Sequence, residues 1–131
     1  MTVTLVDDGG TANGGVDTSA AQTFTISVVG VNDPPSFTAG PDQTVAEDAG
    51  AQTVDPWATA ISPGPPNESG QTVSFTITGN TNAALFSAGP AVSASGALTY
   101  TPAANASGNA SVTLVAVDNG GTANGGIDTS P

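Results

Sequence analysis

The chain carries two copies of one segment. Residues 1–19 (MTVTLVDDGGTANGGVDTS) align without gaps with residues 112–130 (VTLVAVDNGGTANGGIDTS), and 13 of the 19 positions are identical. The distance from residue 1 to residue 112 is the length of one small domain, so the duplication indicates a window from a tandem array. We expect residues 1–35 to be the last strands and linker of one repeat, and residues 36–131 to be the next repeat. The segment AAQTFTISVVGVNDPP follows the first copy but not the second, so we expect the second repeat to lack its last strand.

Alternation of apolar and polar residues predicts an antiparallel all-β fold. The run TFTISVV places Phe24, Ile26 and Val28 on one face, and VSFTIT at Val73–Thr78 alternates in the same way. Period-two patterning rich in Thr, Val, Ile and Phe is typical of half-buried strands, and the 17 Gly and 10 Pro residues mark turns between them. In the second repeat we expect strands near Gln43–Ala46, Gln52–Val54, Thr72–Thr78, Val92–Ser95, Ala97–Thr101 and Ser111–Val117. We expect the core to consist of Val73, Phe75, Ile77, Leu98, Tyr100, Val112 and Leu114.

The composition excludes most catalytic chemistry. The chain has no Lys, Arg, His or Cys, whereas Asp and Glu total 11. Without His and Cys there is no Ser–His triad, thiol nucleophile, imidazole zinc site or disulfide, and without Lys there is no Schiff base. Paired carboxylates could in principle hydrolyse a glycosidic bond, but the pattern offers no aromatic-lined cleft to hold a sugar. We therefore do not expect an enzyme.

The same charge imbalance limits the partners. With no side-chain cation the chain has nothing to neutralise phosphates, so we expect no binding to nucleic acid or to an anionic membrane surface. No apolar run reaches the length that a membrane-spanning helix needs, and the N-terminal MTVTLVDD lacks the basic start and apolar core of a signal peptide. A secreted parent would thus make this chain an excised piece of it.

Several motifs resemble those of one known family. VNDPPSF at Val31–Phe37 resembles the linker between cadherin domains, and VAED at Val45–Asp48 is similar to the end of their first strand. Together with SFTITGN, LTYTPAANASG and DNGGTANGG, these motifs resemble the cadherin-like tandem repeats of large bacterial adhesins. The resemblance implies an extracellular or cell-surface location and a seven-stranded, immunoglobulin-like (cadherin-like) Greek-key sandwich. It also implies calcium at the junctions between repeats, with Asn32, Asp33 and Glu47 as ligands.

Other oxygen-bearing residues flank the duplicated loop. Calcium takes six to eight oxygen ligands, and a chain without side-chain cations leaves its carboxylates available to such an ion. Glu47 and Asp48 could approach the second loop from the first predicted strand. The competing interpretation is that Asp and Asn serve only the turns, because DNGG and ANGG are turn sequences. The candidate ligands in or near the two loops are Asp7, Asp8, Asp17, Asp48, Asp118, Asn119 and Asp128.

Two functional hypotheses remain after these exclusions. The first is a non-catalytic spacer, stiffened by calcium, that holds another part of a surface or fibre protein away from the cell. The alternative is an adhesion module that binds carbohydrate or protein. Sugar binding would require an exposed aromatic platform, and most of the few aromatic residues fall on inward-facing positions of the predicted strands. The pattern therefore favours the spacer.

The duplication also predicts self-assembly. If the second repeat lacks its last strand, it leaves an open sheet edge, and open edges recruit further strands. The strand equivalent to the missing one lies in residues 22–31 of every chain, where Phe24, Ile26 and Val28 would have no core of their own. We expect this strand to be donated to a neighbouring copy, so that copies join head to tail.

Overall fold

The computed structural model describes all 131 residues and confirms an all-β chain of short antiparallel strands. Besides strands it contains only four 3-10 helices of three residues each, at Ala12–Gly14, Pro66–Glu68, Ala83–Leu85 and Ala123–Gly125. No helix is long and apolar enough to cross a membrane. The chain divides into two compact units, Met1–Gly30 and Val31–Pro131.

The first unit is one small hairpin. Strand β1 (Thr2–Val3) pairs antiparallel with β2 (Gln22–Thr23), and an isolated bridge joins Val6 to Thr18. The strand predicted over residues 23–29 is thus paired only at its start. A two-stranded ribbon buries very little, so the apolar side chains of this unit lie exposed to solvent.

The second unit contains seven strands in three antiparallel sheets. The sheets pair β3 with β5, β6 with β9, and β4, β8 and β7 in that order. The strands are β3 (Ser36–Thr38), β4 (Gln52–Val54), β5 (Thr59–Ser62), β6 (Val73–Asn80), β7 (Phe86–Val92), β8 (Leu98–Pro102) and β9 (Val112–Asp118).

The β6–β9 pair is the longest ladder and follows directly from the alternating sequence. Phe75 lies opposite Ala116 and Ile77 opposite Leu114, so apolar residues share one face, while the intervening Ser74 and Thr76 are exposed. The register shifts between Ile77 and Gly79. These pairs confirm the predicted strands at 72–78 and 111–117 to within two residues at each end.

The core lies around the central strand β8. Leu98 and Tyr100 are buried on one face of β8, whereas Thr99 between them faces solvent. The Tyr100 ring packs edge-on against Phe86 at 6.1 Å. Ala58 and Ala116 are also buried. The other residues predicted for the core are only half-buried: Val73, Phe75, Ile77, Val112 and Leu114. Much of the apolar face of the β6–β9 pair is therefore incompletely covered.

Two predicted strands were wrong. Residues 43–46 (QTVA) pair with no strand, and their sequence does not alternate. Residues 93–96 form a turn that Gly96 closes at φ +92°, so strand β7 ends at Val92 instead of beginning there. The prediction missed most of β7 because its sequence, FSAGPAV, contains a Gly and a Pro, which are typical of turns.

Replacing Phe75 with Ala tests the half-buried core. The Phe75 ring packs edge-on against Phe37 with centroids 5.0 Å apart, and its removal loses part of an aromatic burial together with this pair. We expect the free energy of unfolding to fall by about 2 kcal/mol in urea denaturation, less than for a fully buried Phe. The exposed neighbour on the same strand, Thr76→Ala, should change it by less than about 0.5 kcal/mol. Equal stability of the two variants would contradict this packing.

Candidate functional site

The two copies of the duplicated loop adopt the same local structure. In the first copy the Asp7 amide donates to the Asp17 carbonyl at 2.9 Å, and Asp7 Oδ1 accepts from the Gly9 amide at 2.8 Å. In the second copy Asp118 makes the equivalent bonds with Asp128 and Gly120 at the same distances. The loop geometry is therefore determined by the repeated sequence itself, whatever surrounds it.

The second loop holds the Asn32 side chain. Asn32 Nδ2 donates to Asp118 Oδ1 at 2.9 Å and to the Ile127 carbonyl at 2.8 Å, and the Ile127 amide donates back to the Asn32 carbonyl at 3.0 Å. Asn32 Oδ1 accepts from Gln71 Nε2 at 2.8 Å. A residue 86 positions from Asp118 thus joins the start of the second unit to both sides of the loop.

Two glycines of the repeated motif make room for Asn32. A Cβ atom on Gly120 would overlap the Asn32 amide, and one on Gly126 would lie 3.0 Å from the Asn32 Cβ. A side chain at position 120 would displace Asn32, and one at position 126 would be held unusually tightly against it. The two GG pairs of DNGGTANGG therefore serve close approach as well as turning.

Two carboxylates are buried beside Asn32 without a cation. Glu68 and Asp118 are each 6 % exposed. Glu68 Oε1 accepts from the Asp33 amide at 3.1 Å, which links it to the same segment as Asn32. Three buried oxygens in this region have no hydrogen-bond partner: Glu68 Oε2, Asp118 Oδ2 and Gln71 Oε1. A buried, unpartnered carboxylate oxygen is costly, so this arrangement calls for a donor or a positive charge.

The chemistry of this oxygen cluster (Asn32, Glu68, Gln71 and Asp118) suits a hard cation. Carboxylate, amide and backbone carbonyl oxygens are the ligands that calcium takes. Two of the four members of the cluster are acids, and the structure contains no group of three or more Asp, Glu, His or Cys side chains that could hold a metal ion. The chain offers no Lys, Arg or His to neutralise these two acids instead.

The structure brings together some of the predicted ligands and separates others. Asn32 and Asp118 meet at the end of β9, whereas the adjacent Asp33 is exposed and contributes only its backbone amide, which donates to Glu68. Asp48 Oδ1 accepts from the Asn105 amide at 3.0 Å, in the loop that leads into the start of β9, and its neighbour Glu47 is exposed. The seven residues of β9 span about 20 Å, so Glu47 and Asp48 do not approach Asp118 of their own chain.

The remaining predicted ligands serve the loops. Asn119 Oδ1 accepts from the Thr72 amide at 2.9 Å, and Asp128 Oδ1 accepts from the Thr129 hydroxyl at 3.0 Å. Asp17 makes the same bond with Thr18 in the first unit. Asp7, Asp8 and Asp17 are exposed or nearly so, and none belongs to the oxygen cluster.

Glu68 and Gln71 were missed by the sequence analysis. They lie in GPPNESGQ, between β5 and β6, where the Gly and Pro residues indicate a turn. The available signal was an acid in that turn, in a chain without side-chain cations to pair with it.

A second feature of this unit is an open cavity beside β9. Its volume is about 710 Å³, and its wall includes Val112 and Leu114 of β9, Ile77 of β6, and the unpaired residues 41–47. The edge of β9 that faces away from β6 pairs with no strand. Its only backbone contacts are the bridge from Val117 to Thr129 and the bonds between Ala116 and Ser130. The cavity thus lies beside an open sheet edge.

The first unit contains an apolar segment, residues 22–28, whose side chains are exposed to solvent. Phe24 is 48 % exposed, Ile26 69 % and Val28 92 %. These three residues share one face of the strand that the sequence predicts. Isolated exposed apolar residues are common, but a run at period two is typical of a strand that packs against something.

Comparison of the chain with protein-family models, with curated proteins and with solved structures found no match.

Replacing Asn32 with Ala tests its position in the loop. The variant would lose two hydrogen bonds to the loop and leave Asp118 Oδ1 with one donor fewer in a buried setting. We expect the free energy of unfolding to fall by about 2–3 kcal/mol in thermal or urea denaturation, because a buried carboxylate loses one of its two donors and Gln71 Nε2 loses its acceptor. The matched control is Asn67→Ala, at an exposed Asn of the neighbouring loop, which should change stability by less than about 0.5 kcal/mol. A mild effect at both positions would show that Asn32 does not hold the loop.

Proposed function

We propose that the chain is a non-catalytic structural repeat of an extracellular bacterial surface or fibre protein. In this proposal each repeat is an immunoglobulin-like Greek-key sandwich, calcium stiffens the junction, and copies join head to tail by exchange of a strand. The observation that carries the proposal is the oxygen cluster: two buried carboxylates and two amides gathered at the start of a repeat, in a chain without side-chain cations.

The position of the cluster supports a role in stiffening. Asn32 and Asp33 precede β3, Glu68 and Gln71 lie between β5 and β6, and Asp118 ends β9. An ion shared by these three segments would tie the linker to two loops of the repeat that follows it. Calcium would supply the positive charge that the unpartnered oxygens lack.

The duplication supports the repeat character of the chain. Two copies of one loop, separated by one repeat length, have the same hydrogen bonds, so the sequence encodes a structural unit that recurs along a chain. The seven strands of the second unit and the resemblance of VNDPPSF to a cadherin linker favour the sandwich assignment.

Self-assembly is favoured by the two complementary surfaces of the chain. The second unit has a cavity beside an open strand edge, and the first has an apolar segment without cover. Each copy would therefore act as both donor and acceptor, and such heterologous contacts continue into a fibre unless they close. A donated strand would also carry Asn32 and Asp33 of one copy toward Glu47 of the next.

Calcium should raise the melting temperature measured by calorimetry. At a concentration one hundred times its dissociation constant, an ion that binds only the folded chain adds about 2.7 kcal/mol to the free energy of unfolding. For a domain of this size that corresponds to roughly 10 °C or more. EDTA should reverse the shift. An unchanged melting temperature in calcium would contradict a calcium site at the junction.

The variant Glu68→Gln distinguishes an ion at the cluster from general screening. It removes one buried charge but keeps the shape of the side chain, so in EDTA it should be more stable than the parent. In calcium it should lose most of the stabilisation. The exposed control Asp42→Asn removes the same charge elsewhere and should keep the full calcium response.

Self-assembly should require the apolar segment of the first unit. We expect Ile26→Asp to abolish high-mass species in analytical ultracentrifugation, because a charge on that face cannot enter an apolar slot. Val16→Asp is the control, since Val16 is exposed in the same unit but lies outside the segment. It should assemble like the parent. A parent chain that sediments as a monomer at high concentration with calcium would end the proposal of self-assembly.

A further inference from the structure

The hairpin of the first unit shows how a strand pairs with the duplicated sequence. Thr2 lies opposite Thr23 and Val3 opposite Gln22, while Met1 and Phe24 exchange both backbone hydrogen bonds at 3.2 Å. The alignment of the two copies relates this β1 segment to β9. Met1 corresponds to Val112, Thr2 to Thr113 and Val3 to Leu114.

The correspondence extends into the loop, so it also fixes the register. The bridge from Val6 to Thr18 recurs as the bridge from Val117 to Thr129. The bonds between Leu5 and Ser19 recur between Ala116 and Ser130, at 2.8 Å and 2.9 Å for the amide–carbonyl bonds. Thr129 and Ser130 thus occupy the open edge of β9 only at its C-terminal end. The backbone of residues 112–115 on that edge remains available to another strand.

The facing of the side chains follows from the same pairs. Residues directly opposite in an antiparallel pair point to the same side of the sheet. Leu114 and Val112 line the cavity, so residues opposite them would point into it. In the register of the first unit these are Gln22 and Phe24, and alternation places Ile26 and Val28 on the same side. The exposed apolar face of the segment therefore matches the face that the cavity requires.

We propose that the start of β9 and the residues before it (108–114) in one copy take residues 22–28 of a second copy as their antiparallel partner. The register is Thr113 opposite Thr23, Leu114 opposite Gln22 and Val112 opposite Phe24. This inference deepens the proposed self-assembly and rests on it. The donor segment would leave β1, its only partner in a two-stranded ribbon, and pair with β9, which is already paired with β6. The apolar side chains of the segment would then be buried in the cavity.

The register can be tested by disulfide crosslinking, because the chain contains no Cys. Thr23 and Thr113 are both exposed, and the Thr2–Thr23 pair adjoins the doubly bonded Met1–Phe24 pair, so the proposed pair is of the close, non-hydrogen-bonded type. Such a pair satisfies the Cα separation of a disulfide. Thr23→Cys and Thr113→Cys proteins, mixed under mild oxidation, should give a mixed dimer identified by mass spectrometry.

A position four residues further along the donor segment provides the matched control. Ser27 faces the same side as Thr23 but lies about 13 Å along the strand, beyond the reach of a disulfide. Ser27→Cys mixed with Thr113→Cys should therefore crosslink at least about tenfold more slowly, and Phe24→Asp added to Thr23→Cys should slow its reaction to a similar degree. Both changes lie outside the second unit, so neither perturbs its folding.

Three results would overturn the inference. Equal crosslinking at positions 23 and 27 would contradict the register. A Thr23→Cys/Thr113→Cys double variant that forms only an intrachain disulfide would show that the segment occupies its own chain and not a second copy. If the parent chain assembles in the ultracentrifuge but position 23 shows no preferred crosslinking, the chain self-assembles by a contact other than the one proposed. The calcium response is measured separately and does not depend on any of these results.

Discussion

A chain with eleven carboxylates and no side-chain cation has to hold every buried negative charge by other means. At the start of the second unit this is done with amides. Asn32 donates to Asp118, the Asp33 backbone donates to Glu68, and Gln71 donates to Asn32. These hydrogen bonds connect the linker to the two loops and give the buried carboxylates their donors. The second oxygen of each carboxylate and the Gln71 oxygen have no partner. The residues that connect the linker to the loops, a connection called the joint below, therefore also form a site suited to a cation.

The organisation of the second unit depends on this joint. Asn32 fits against the loop because Gly120 and Gly126 carry no side chain, and the loop in turn follows the end of β9. At the far end of β9 the situation is different, because the apolar faces of β6 and β9 border an open cavity. One end of the unit is therefore closed by polar contacts, and the long side of β9 remains open for an apolar partner.

The sequence predicted those features that depend on local pattern. It gave β4 with its observed bounds and β6, β8 and β9 to within two residues, because their alternation is regular. It missed β3, β5 and most of β7, which are short or interrupted by Gly89 and Pro90. For the site, Asn32 and Asp118 were each identified as candidate ligands, but their contact spans 86 positions and follows from topology. Glu68 and Gln71 were missed because their loop has the composition of a turn, and Glu47 was placed near Asp118 although a strand's length separates them.

The shared geometry of the two loops has a kinetic consequence. The first loop is exposed on a bare hairpin and the second is packed against Asn32, yet both have the same internal hydrogen bonds. Their structure is therefore encoded over a short stretch of sequence, and contacts of such short range form in microseconds. Pairings of long range, such as β4 with β8 or Asn32 with Asp118, carry a larger entropy of loop closure and form later. In a chain that repeats this motif, each hairpin would be an independent nucleus, and folding could start at any repeat without waiting for synthesis of the whole array.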